Sequence, residues 1–276
     1  IEEARENGKK ILIWITGDYY IPLPQFDNVI GLYTSPYISK QNIMTIPLPV
    51  FIRDPLQSVG KDNIFVRDYN LIPSIGFCGQ VDPNLIISML KMCWLGWKNM
   101  KYYLSISNYY SGPSSPPTYL RKKVLDILEK TDGINTDFIR RNKYKGGKSK
   151  TENSFENLRK EFYCNIHNTD YTLCIRGTGN FSARFYETLA LGRAPIFINT
   201  DCILPFNDVI EWKKHIIWIE QNEISDIGIK IMEFHNGLTQ DSFTNLQNEN
   251  RQLWEQYFSF PGFIQQLISY LKKELN

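Results

Sequence analysis

A short segment in the second half of the sequence combines arginines, glycines and a serine between two different local patterns. Residues 171–175 have the pattern of a strand, and residues 183–191 have the apolar spacing of a helix. Backbone N–H groups at a helix start after a glycine turn bind anions, and guanidinium groups match phosphate oxygens. The segment therefore predicts a diphosphate site. Its candidate residues are Arg176, Gly177, Thr178, Gly179, Ser182 as the helix N-cap, and Arg184.

Glu187 follows Arg184 by three residues, so both side chains lie on the same face of the predicted helix. A carboxylate at that position could accept hydrogen bonds from the hydroxyls of a ribose. An ordinary surface ion pair between the two residues explains the same spacing. Spacing alone supports the two interpretations about equally.

The elements that must position these residues follow a regular order from residue 74 onward. Strands are predicted at 74–80, 135–139, 171–175, 194–198 and 215–219, and helices at 82–97, 117–130, 152–163, 183–191, 223–235, 248–258 and 262–275. Strands that alternate with helices indicate parallel β-α-β units. We therefore expect an α/β fold with a domain over residues 74–260.

Residues 1–73 predict a shorter N-terminal unit, and residues 261–276 a C-terminal helix that crosses back to it. Strands are expected at 10–16, 28–33 and 43–52. The first is continuously apolar, which predicts burial on both faces. The third contains Pro47 and Pro49, which predicts an edge position.

The composition excludes several classes of protein. The chain of 276 residues has 31 basic and 29 acidic residues, a net charge of +2, which argues against a protein that coats nucleic acid. A hydrophobic content of 42% excludes wholesale disorder. No apolar run approaches the roughly 20 residues that cross a bilayer.

The five cysteines are odd in number and lack a C-x-x-C pair, which argues against a zinc site and a disulfide framework. Reduced thiols and the lack of a visible signal peptide favour a cytoplasmic location. A lumenal location remains open if an N-terminal anchor precedes Ile1 in the whole protein. The sequon Asn180-Phe181-Ser182 lies in the predicted anion turn, where a glycan would block the site, and this weighs mildly against a lumenal location.

The segment around the glycine turn resembles the signature of exostosin-family glycosyltransferases, which include heparan sulfate polymerases and plant cell-wall galactosyl- and xylosyltransferases. The resemblance covers residues 74–260 and is densest between 171 and 212. The matching residues include Leu173, Cys174, Arg176, Gly177, Gly179, Ser182, Arg184, Phe185, Glu187, Leu189, Gly192, Pro195, Asp201, Leu204, Pro205, Phe206, Asp208, Ile210 and Trp212. Farther along, Leu253, Trp254, Tyr257, Phe258 and Ser259 also match, as do Phe77, Cys78, Gly79 and Arg121 upstream.

The resemblance implies a GT-B fold, in which two Rossmann-like halves face each other across a cleft, here with a short N-terminal half. It implies an inverting transferase with a UDP-sugar donor and a glycan or glycoprotein acceptor, and no cofactor. The absence of an Asp-x-Asp motif agrees with a reaction that needs no metal. Xylose, galactose and glucuronic acid are the implied donor sugars, with xylose placed first.

By the same resemblance, Arg176 and Arg184 would hold the diphosphate, with the glycine turn lining it and Glu187 at the ribose. Cys78 and Gly79 would belong to the strand that opens the nucleotide-binding half. Since each side chain is expected to face the cleft, the fold should survive replacement of Arg184 or Glu187.

An inverting reaction needs a base beside the acceptor hydroxyl. Asp18 is the main candidate because it follows the first clear strand, at the end where α/β sites lie. A role in capping a turn explains Asp18 at least as well. Asp68 and Asp82 are weaker alternatives.

A basic run contains Arg140 and Arg141, followed by Lys143, Lys145, Lys148 and Lys150. A solvated loop is the default interpretation of such a run. The functional alternative is a lid over the donor phosphates, with Arg140 or Arg141 nearest the strand. Two other functions stay open: an inactive nucleotide-sugar or glycan-binding module, and a fucosyltransferase-like enzyme with a GDP-sugar donor.

Overall fold

The computed structural model describes residues 1–40, 44–81, 84–142 and 152–275, and within these residues it contains two parallel β-sheets. The first sheet has three strands and the second has five. Both come from the alternation of short apolar runs with polar turns that the sequence shows.

The first sheet contains β1 (Ile11–Ile15), β2 (Val29–Tyr33) and β3 (Met44–Pro47) in that order, all parallel. The central strand β2 is buried along its whole length, and β3 lies at an edge, as predicted. The prediction that the first strand is buried on both faces is wrong. In β1, Leu12 and Trp14 are 46% and 44% exposed, because this strand is the other edge and one of its faces stays open.

The second sheet contains β4 (Ser74–Gln80), β5 (Asn135–Arg141), β6 (Tyr171–Cys174), β7 (Ala194–Asn199) and β8 (Ile217–Glu220). All neighbours are parallel, and the spatial order is β5-β4-β6-β7-β8. The chain therefore leaves β4 in one direction to form β5 and returns to the other side to form β6. Ligands bind at such switch points of open α/β sheets, outside the carboxyl ends of the strands.

Ten α-helices accompany the strands within the described residues. They are α1 (Glu2–Glu6), α2 (Pro55–Ser58), α3 (Leu85–Tyr103), α4 (Pro117–Leu128), α5 (Glu152–His167), α6 (Ala183–Ala190), α7 (Trp212–His215), α8 (Ile227–Asn236), α9 (Gln240–Leu253) and α10 (Phe260–Leu275). A single π-helical turn, Trp254–Phe258, joins α9 to α10. The helix predicted at 248–258 is thus the end of a longer helix followed by this turn.

The main core lies between the five-stranded sheet and its helices. Ile75, Leu173, Ile196 and Ile219 are each fully buried, one from each of four strands. Apolar side chains point to both faces of these strands because helices cover both faces. This burial fixes the carboxyl ends of β4 and β6, where the candidate site lies.

The two halves are connected at several places. Phe263 and Leu267 of α10 pack against Ile30 and Leu32 of β2. The segment 54–69 lies against the second half, although it precedes the limit predicted at residue 73: Arg67, for example, donates to Asp170 at 2.6 Å. The α/β class with two parallel-sheet halves in a GT-B-like arrangement is confirmed, and the N-terminal half is the shorter one.

All five cysteines carry free thiols. Across the described ranges, no helix combines the length and the apolar character that a membrane-spanning segment needs.

Candidate functional site

A crevice opens between β4 and β6 at the switch point. The two strands pair only at Ile75 with Tyr171 and at Gly76 with Thr172, although β4 continues to Gln80. Backbone carbonyl groups beyond that pairing need other donors, because buried carbonyls rarely stay unpaired. Arginine side chains supply these donors.

Arg184, in the first turn of α6, lies in this crevice. Its Nη1 donates to Leu173 O at 3.2 Å and its Nη2 to Cys78 O at 2.6 Å. The guanidinium carbon lies 4.4 Å from the ring centre of Phe77. A Cβ at Gly79 would lie 2.7 Å from Nη2, so this glycine lets the guanidinium lie against the strand. Arg184 therefore bridges two strands that no longer pair with each other.

Burial lowers the pKa of Arg184 from its ordinary value, and the charge of Glu187 acts against that effect. The Nε of Arg184 is buried and has no hydrogen-bond acceptor among the described residues. This donor is thus an unpaired buried polar atom, which is uncommon in folded proteins.

Arg121 of α4 makes a similar bridge farther along the chain, beyond the carbonyl groups that Arg184 binds. Its guanidinium donates to Gln80 O at 3.2 Å and to Arg176 O at 2.9 Å. The sequence analysis matched this residue to the family signature but gave it no role. A second signal is its place on the helix face of the buried residues Leu125 and Leu128, four and seven positions later.

Arg176 lies two residues after the end of β6 and is buried. Its guanidinium donates to Ser115 O at 2.6 Å, to Pro113 O at 3.3 Å and to Gly177 O at 3.1 Å. Burial lowers the pKa of Arg176 from its ordinary value. In this conformation Arg176 holds the loop before α4 against the glycine turn, and its contact with a diphosphate stays a prediction.

The glycine turn leads into α6. Gly177 N donates to Phe181 O at 2.9 Å, and Thr178 is exposed at the tip. Ser182 occupies the N-cap position, but its side chain accepts no hydrogen bond from the first turn of α6. This part of the N-cap prediction is wrong, and the first-turn N–H groups lack the side-chain oxygen that usually caps them.

The front half meets the second half at this turn. A Cβ at Gly179 would lie 3.0 Å from the Cα of Asp18, the residue proposed as the base. Asn180 N donates to Ser35 Oγ at 2.5 Å, and Asn180 Nδ2 donates to Pro36 O at 3.1 Å. Asp18 itself is exposed. The structure therefore brings the candidate base beside the candidate donor turn.

The contacts of Asn180 also bear on the glycosylation sequon, of which it is the first residue. Asn180 is only 1% exposed, and its Nδ2 also donates to Asp201 O at 3.1 Å. The amide nitrogen that a glycan would occupy is used inside the protein.

Glu187 lies on α6 and faces α5. Its Oε1 accepts a hydrogen bond from Tyr163 Oη at 3.2 Å, and the carboxylate is half-buried. Burial first, and the Glu187 charge second, raise the pKa of Tyr163 to about 12. Tyr163 therefore stays protonated and donates to the carboxylate. A ribose contact of Glu187 stays a prediction.

Arg140 and Arg141 lie on opposite faces of β5, because successive strand residues alternate. Arg140 binds Asp126 at 2.9 Å and Glu129 at 2.8 Å on α4. Arg141 donates to Leu158 O at 2.9 Å and to Glu161 Oε2 at 2.5 Å on α5, and its charge acts on Cys78 and Arg184. Carboxylates thus hold both side chains, and the contact of either one with the donor stays a prediction. Residues 143–150 of the proposed lid lie outside the described residues.

The alternative bases and the histidines do not join this cluster. Asp68 lies near Gln240, next to Arg67 and Asp170 at the amino end of β6, away from the strand ends that form the crevice. Asp82 lies outside the described residues. His235 is buried between Tyr171 Oη at 2.8 Å and Asn70 O at 2.7 Å, which is a structural arrangement.

An aromatic pair beside Asp18 was missed by sequence reasoning. The rings of Tyr19 and Tyr109 lie 5.0 Å apart, and Lys98 Nζ lies 5.5 Å from the centre of the Tyr19 ring. The two tyrosines are 90 residues apart along the chain, so no local pattern connects them. In the part of the chain that the structure describes, no group of three or more His, Cys, Asp or Glu side chains is arranged to hold a metal ion.

Known proteins resemble this chain in sequence over part of its length. It is 26% identical to Exostosin-1 of Drosophila melanogaster over 117 residues, which are 42% of this chain and 14% of that protein. It is 31% identical to Exostosin-1 of Bos taurus over 94 residues, which are 34% of this chain and 12% of that protein. The matched region thus spans a small part of these curated relatives. A crystal structure of TarM superposes with a TM-score of 0.40 at 13% identity, covering 87% of this chain and 42% of that one.

The sequence model of the Exostosin GT47 domain matches residues 38–233, which include both β4 and β6, the glycine turn and α6. The match spans well over half of the chain and contains Arg176, Arg184 and Glu187. The chain therefore belongs to the exostosin family of glycosyltransferases.

Proposed function

We propose that this chain is an inverting glycosyltransferase that moves a sugar from a UDP-linked donor to a hydroxyl of a glycan or glycoprotein acceptor without a metal ion. The observation that carries the proposal is the meeting of Asp18 with the turn at Gly179, outside the carboxyl ends of β4 and β6. A donor at the start of α6 and a base from the opposite half would then lie on two sides of one reacting carbon.

The donor diphosphate is proposed to lie at the first turn of α6. The N–H groups there lack a side-chain cap, and the Nε of Arg184 is buried without an acceptor among the described residues. The Arg141 guanidinium, which is paired with Glu161, also acts on the charge of Arg184. Preorganised donors of this kind stabilise a leaving group as negative charge moves onto it.

Asp18 is proposed to accept the proton of the acceptor hydroxyl. Its carboxylate is exposed beside the turn, and its backbone is held near Ser35, whose Oγ lies 3.5 Å from Asp18 O. As the hydroxyl oxygen bonds to the anomeric carbon, the bond to the diphosphate breaks on the opposite side, which inverts that carbon. Xylose, galactose and glucuronic acid are the proposed donor sugars, with xylose first.

An inactive nucleotide-sugar or glycan-binding module is the second candidate. It is favoured by the small front sheet and by guanidinium groups of Arg176 and Arg184 that already bind backbone carbonyls. A fucosyltransferase-like enzyme with a GDP-sugar donor is the third.

The test is a screen of UDP-xylose, UDP-galactose, UDP-glucuronic acid and GDP-fucose, with and without a panel of glycan acceptors. Released nucleoside diphosphate is quantified, and the anomeric configuration of the product is read by NMR. We expect release from a UDP-sugar with an inverted product, abolished by Asp18→Asn and retained by the matched control Asp68→Asn. Binding without turnover would support the inactive module, and release from GDP-fucose alone would support the third candidate.

A further inference from the structure

Helix α3 has an inverted distribution of polar and apolar residues. Among the residues of this helix, those buried against the protein are Ser88 and Asn99, and both are polar. Asn99 Nδ2 donates to Gly112 O at 2.7 Å, and Asn99 Oδ1 accepts from Ser111 N at 3.2 Å. The Asn99 amide thus ties the helix to the loop before α4 through two hydrogen bonds.

The apolar side chains of α3 face solvent. Ile86 and Leu90 are 70% and 65% exposed, and Met89, Trp94 and Trp97 are also exposed. Contiguous apolar surface of this size marks a site that binds another surface. The helix has 19 residues, so it presents a strip about 28 Å long at 1.5 Å per residue.

The charged side chains of α3 and of the residues that follow it, up to residue 125, are all basic. Residues 84–125 contain no Asp or Glu, and α3 itself carries Lys91, Lys98 and Lys101. Three positive charges on one helix exceed the net charge of +2 of the whole chain. The surface that complements α3 is therefore apolar and negatively charged.

The tryptophans and lysines of α3 are paired in space. Lys98 Nζ lies 3.8 Å from the ring centre of Trp94, and Lys101 Nζ lies 5.3 Å from that of Trp97. Indole rings prefer the boundary between headgroups and acyl chains, and lysine stems extend along apolar surface while their ammonium groups reach phosphates. A second copy of the chain in a symmetric contact would bring the same lysines together, which disfavours self-association.

We propose that α3 lies on the surface of an anionic phospholipid bilayer, with its apolar side chains among the acyl chains and its lysines at the headgroups. The helix lies in the membrane interface and does not cross the bilayer. Its carboxyl-terminal part adjoins the Tyr19–Tyr109 pair beside Asp18, so binding holds the mouth of the candidate site close to the membrane. The proposal stands independently of which sugar the site transfers.

The test is co-sedimentation of the chain with phosphatidylcholine vesicles that contain or lack phosphatidylserine, over a series of NaCl concentrations. We expect binding to the anionic vesicles that weakens as salt rises, and little binding to the neutral ones. Ile86→Glu combined with Leu90→Glu should weaken binding by about tenfold or more, because two buried apolar side chains become charged. The matched control is Ile229→Glu on α8, an equally exposed isoleucine at 62%, which should bind like the parent chain.

Thermal melting shows whether the variants stay folded. The series of vesicle compositions and salt concentrations uses the parent chain, so it tests the proposal even if a variant unfolds. Absence of binding to anionic vesicles would overturn the proposal. So would binding that the double variant retains in full, or equal binding to neutral vesicles. A concentration-dependent dimer in sedimentation velocity, lost in the double variant and accompanied by no vesicle binding, would assign the face to a second copy instead.

Discussion

At the scale of single residues, the guanidinium of Arg184 has two roles that compete for its donors. It binds carbonyl oxygens on two neighbouring strands, Cys78 O and Leu173 O, and it is also the main candidate for stabilising a departing diphosphate. A side chain buried in this way contributes to folding as well as to catalysis. The expectation that the fold tolerates its loss therefore needs revision.

Replacing Arg184 with Ala should lower both activity and stability. We expect kcat to fall on the order of 10²-fold, as for the loss of one preorganised donor. We also expect the free energy of unfolding to fall by about 2–3 kcal/mol, because two buried carbonyls lose a charged donor. Arg184→Lys should recover part of the activity and part of the stability, since one ammonium group cannot replace the two separate donors of the guanidinium.

Steady-state kinetics with matched thermal melts check this prediction, and Gly79→Ala provides a milder variant. The added Cβ would lie 2.7 Å from Arg184 Nη2, so it should displace the guanidinium while leaving its charge in place. An unchanged melting temperature for Arg184→Ala would show that its carbonyl contacts do not stabilise the fold. Normal turnover would place the donor elsewhere.

Replacing Glu187 with Gln should raise the donor KM and leave kcat nearly unchanged. The ribose is remote from the bond that breaks, so it is held alike in the ground and transition states. Gln still offers an oxygen to Tyr163 Oη, so stability should change little. Kinetics at varied donor concentration measure the effect, with Tyr163→Phe as the control for the lost hydroxyl. An equal fall in kcat and kcat/KM would contradict the ribose role.

At the scale of elements, the alternation of side chains along a strand decides which basic residues reach the site. Arg140 and Arg141 are adjacent in sequence, but β5 directs one toward α4 and the other toward α5. A basic run in the sequence cannot show this difference, because the faces of a strand are set by what packs on each side.

Arg140→Ala should leave the donor KM unchanged and cost less than about 1 kcal/mol of stability, since it removes partly exposed ion pairs. Arg141→Ala should raise the donor KM on the order of tenfold, because it removes positive charge beside Arg184 and leaves the Glu161 carboxylate without this partner. The two variants differ by one position and serve as controls for each other. A larger donor KM for Arg140→Ala than for Arg141→Ala would show that Arg140, and not Arg141, lies closer to the donor.

At the scale of the whole molecule, the site depends on the contact between the two halves. Asn180 makes this contact from inside the glycine turn, with bonds to Ser35 and Pro36 of the front half, and it also binds Asp201 O in its own half. The arrangement of Asp18 and Gly179 follows from it. A small change at this contact should therefore affect activity more than a change of similar size in the core.

Asn180→Ala should lower kcat/KM and reduce the free energy of unfolding by about 1–3 kcal/mol, because two buried carbonyls lose their donor. Denaturant unfolding and steady-state kinetics measure the two effects. Asn248→Ala is the matched control, because that amide donates only to Thr244 O within α9 at 3.1 Å on the surface. If Asn180→Ala behaves like this control, the Asn180 contact does not position the two halves.

Local sequence patterns predicted the secondary-structure elements and the type of site. Apolar runs and helical spacing predicted each strand of the five-stranded sheet and the strand–turn–helix at Arg176 to Arg184, because these patterns depend on neighbouring residues alone. The proline pair in residues 43–52 predicted an edge strand for the same local reason. The family followed from residues within one continuous segment.

Which residues meet depends on the packing of distant segments. Arg184 binds Cys78 across 106 positions of the chain, and Asp18 reaches Gly179 from the other half. Strand β1 proved to be an edge strand with one open face. The elements that pack around a strand, and not its own residues, decide how many of its faces are covered. Long-range partners depend on strand order and on which helices cover each face, and these are properties of the packed molecule that no local spacing records.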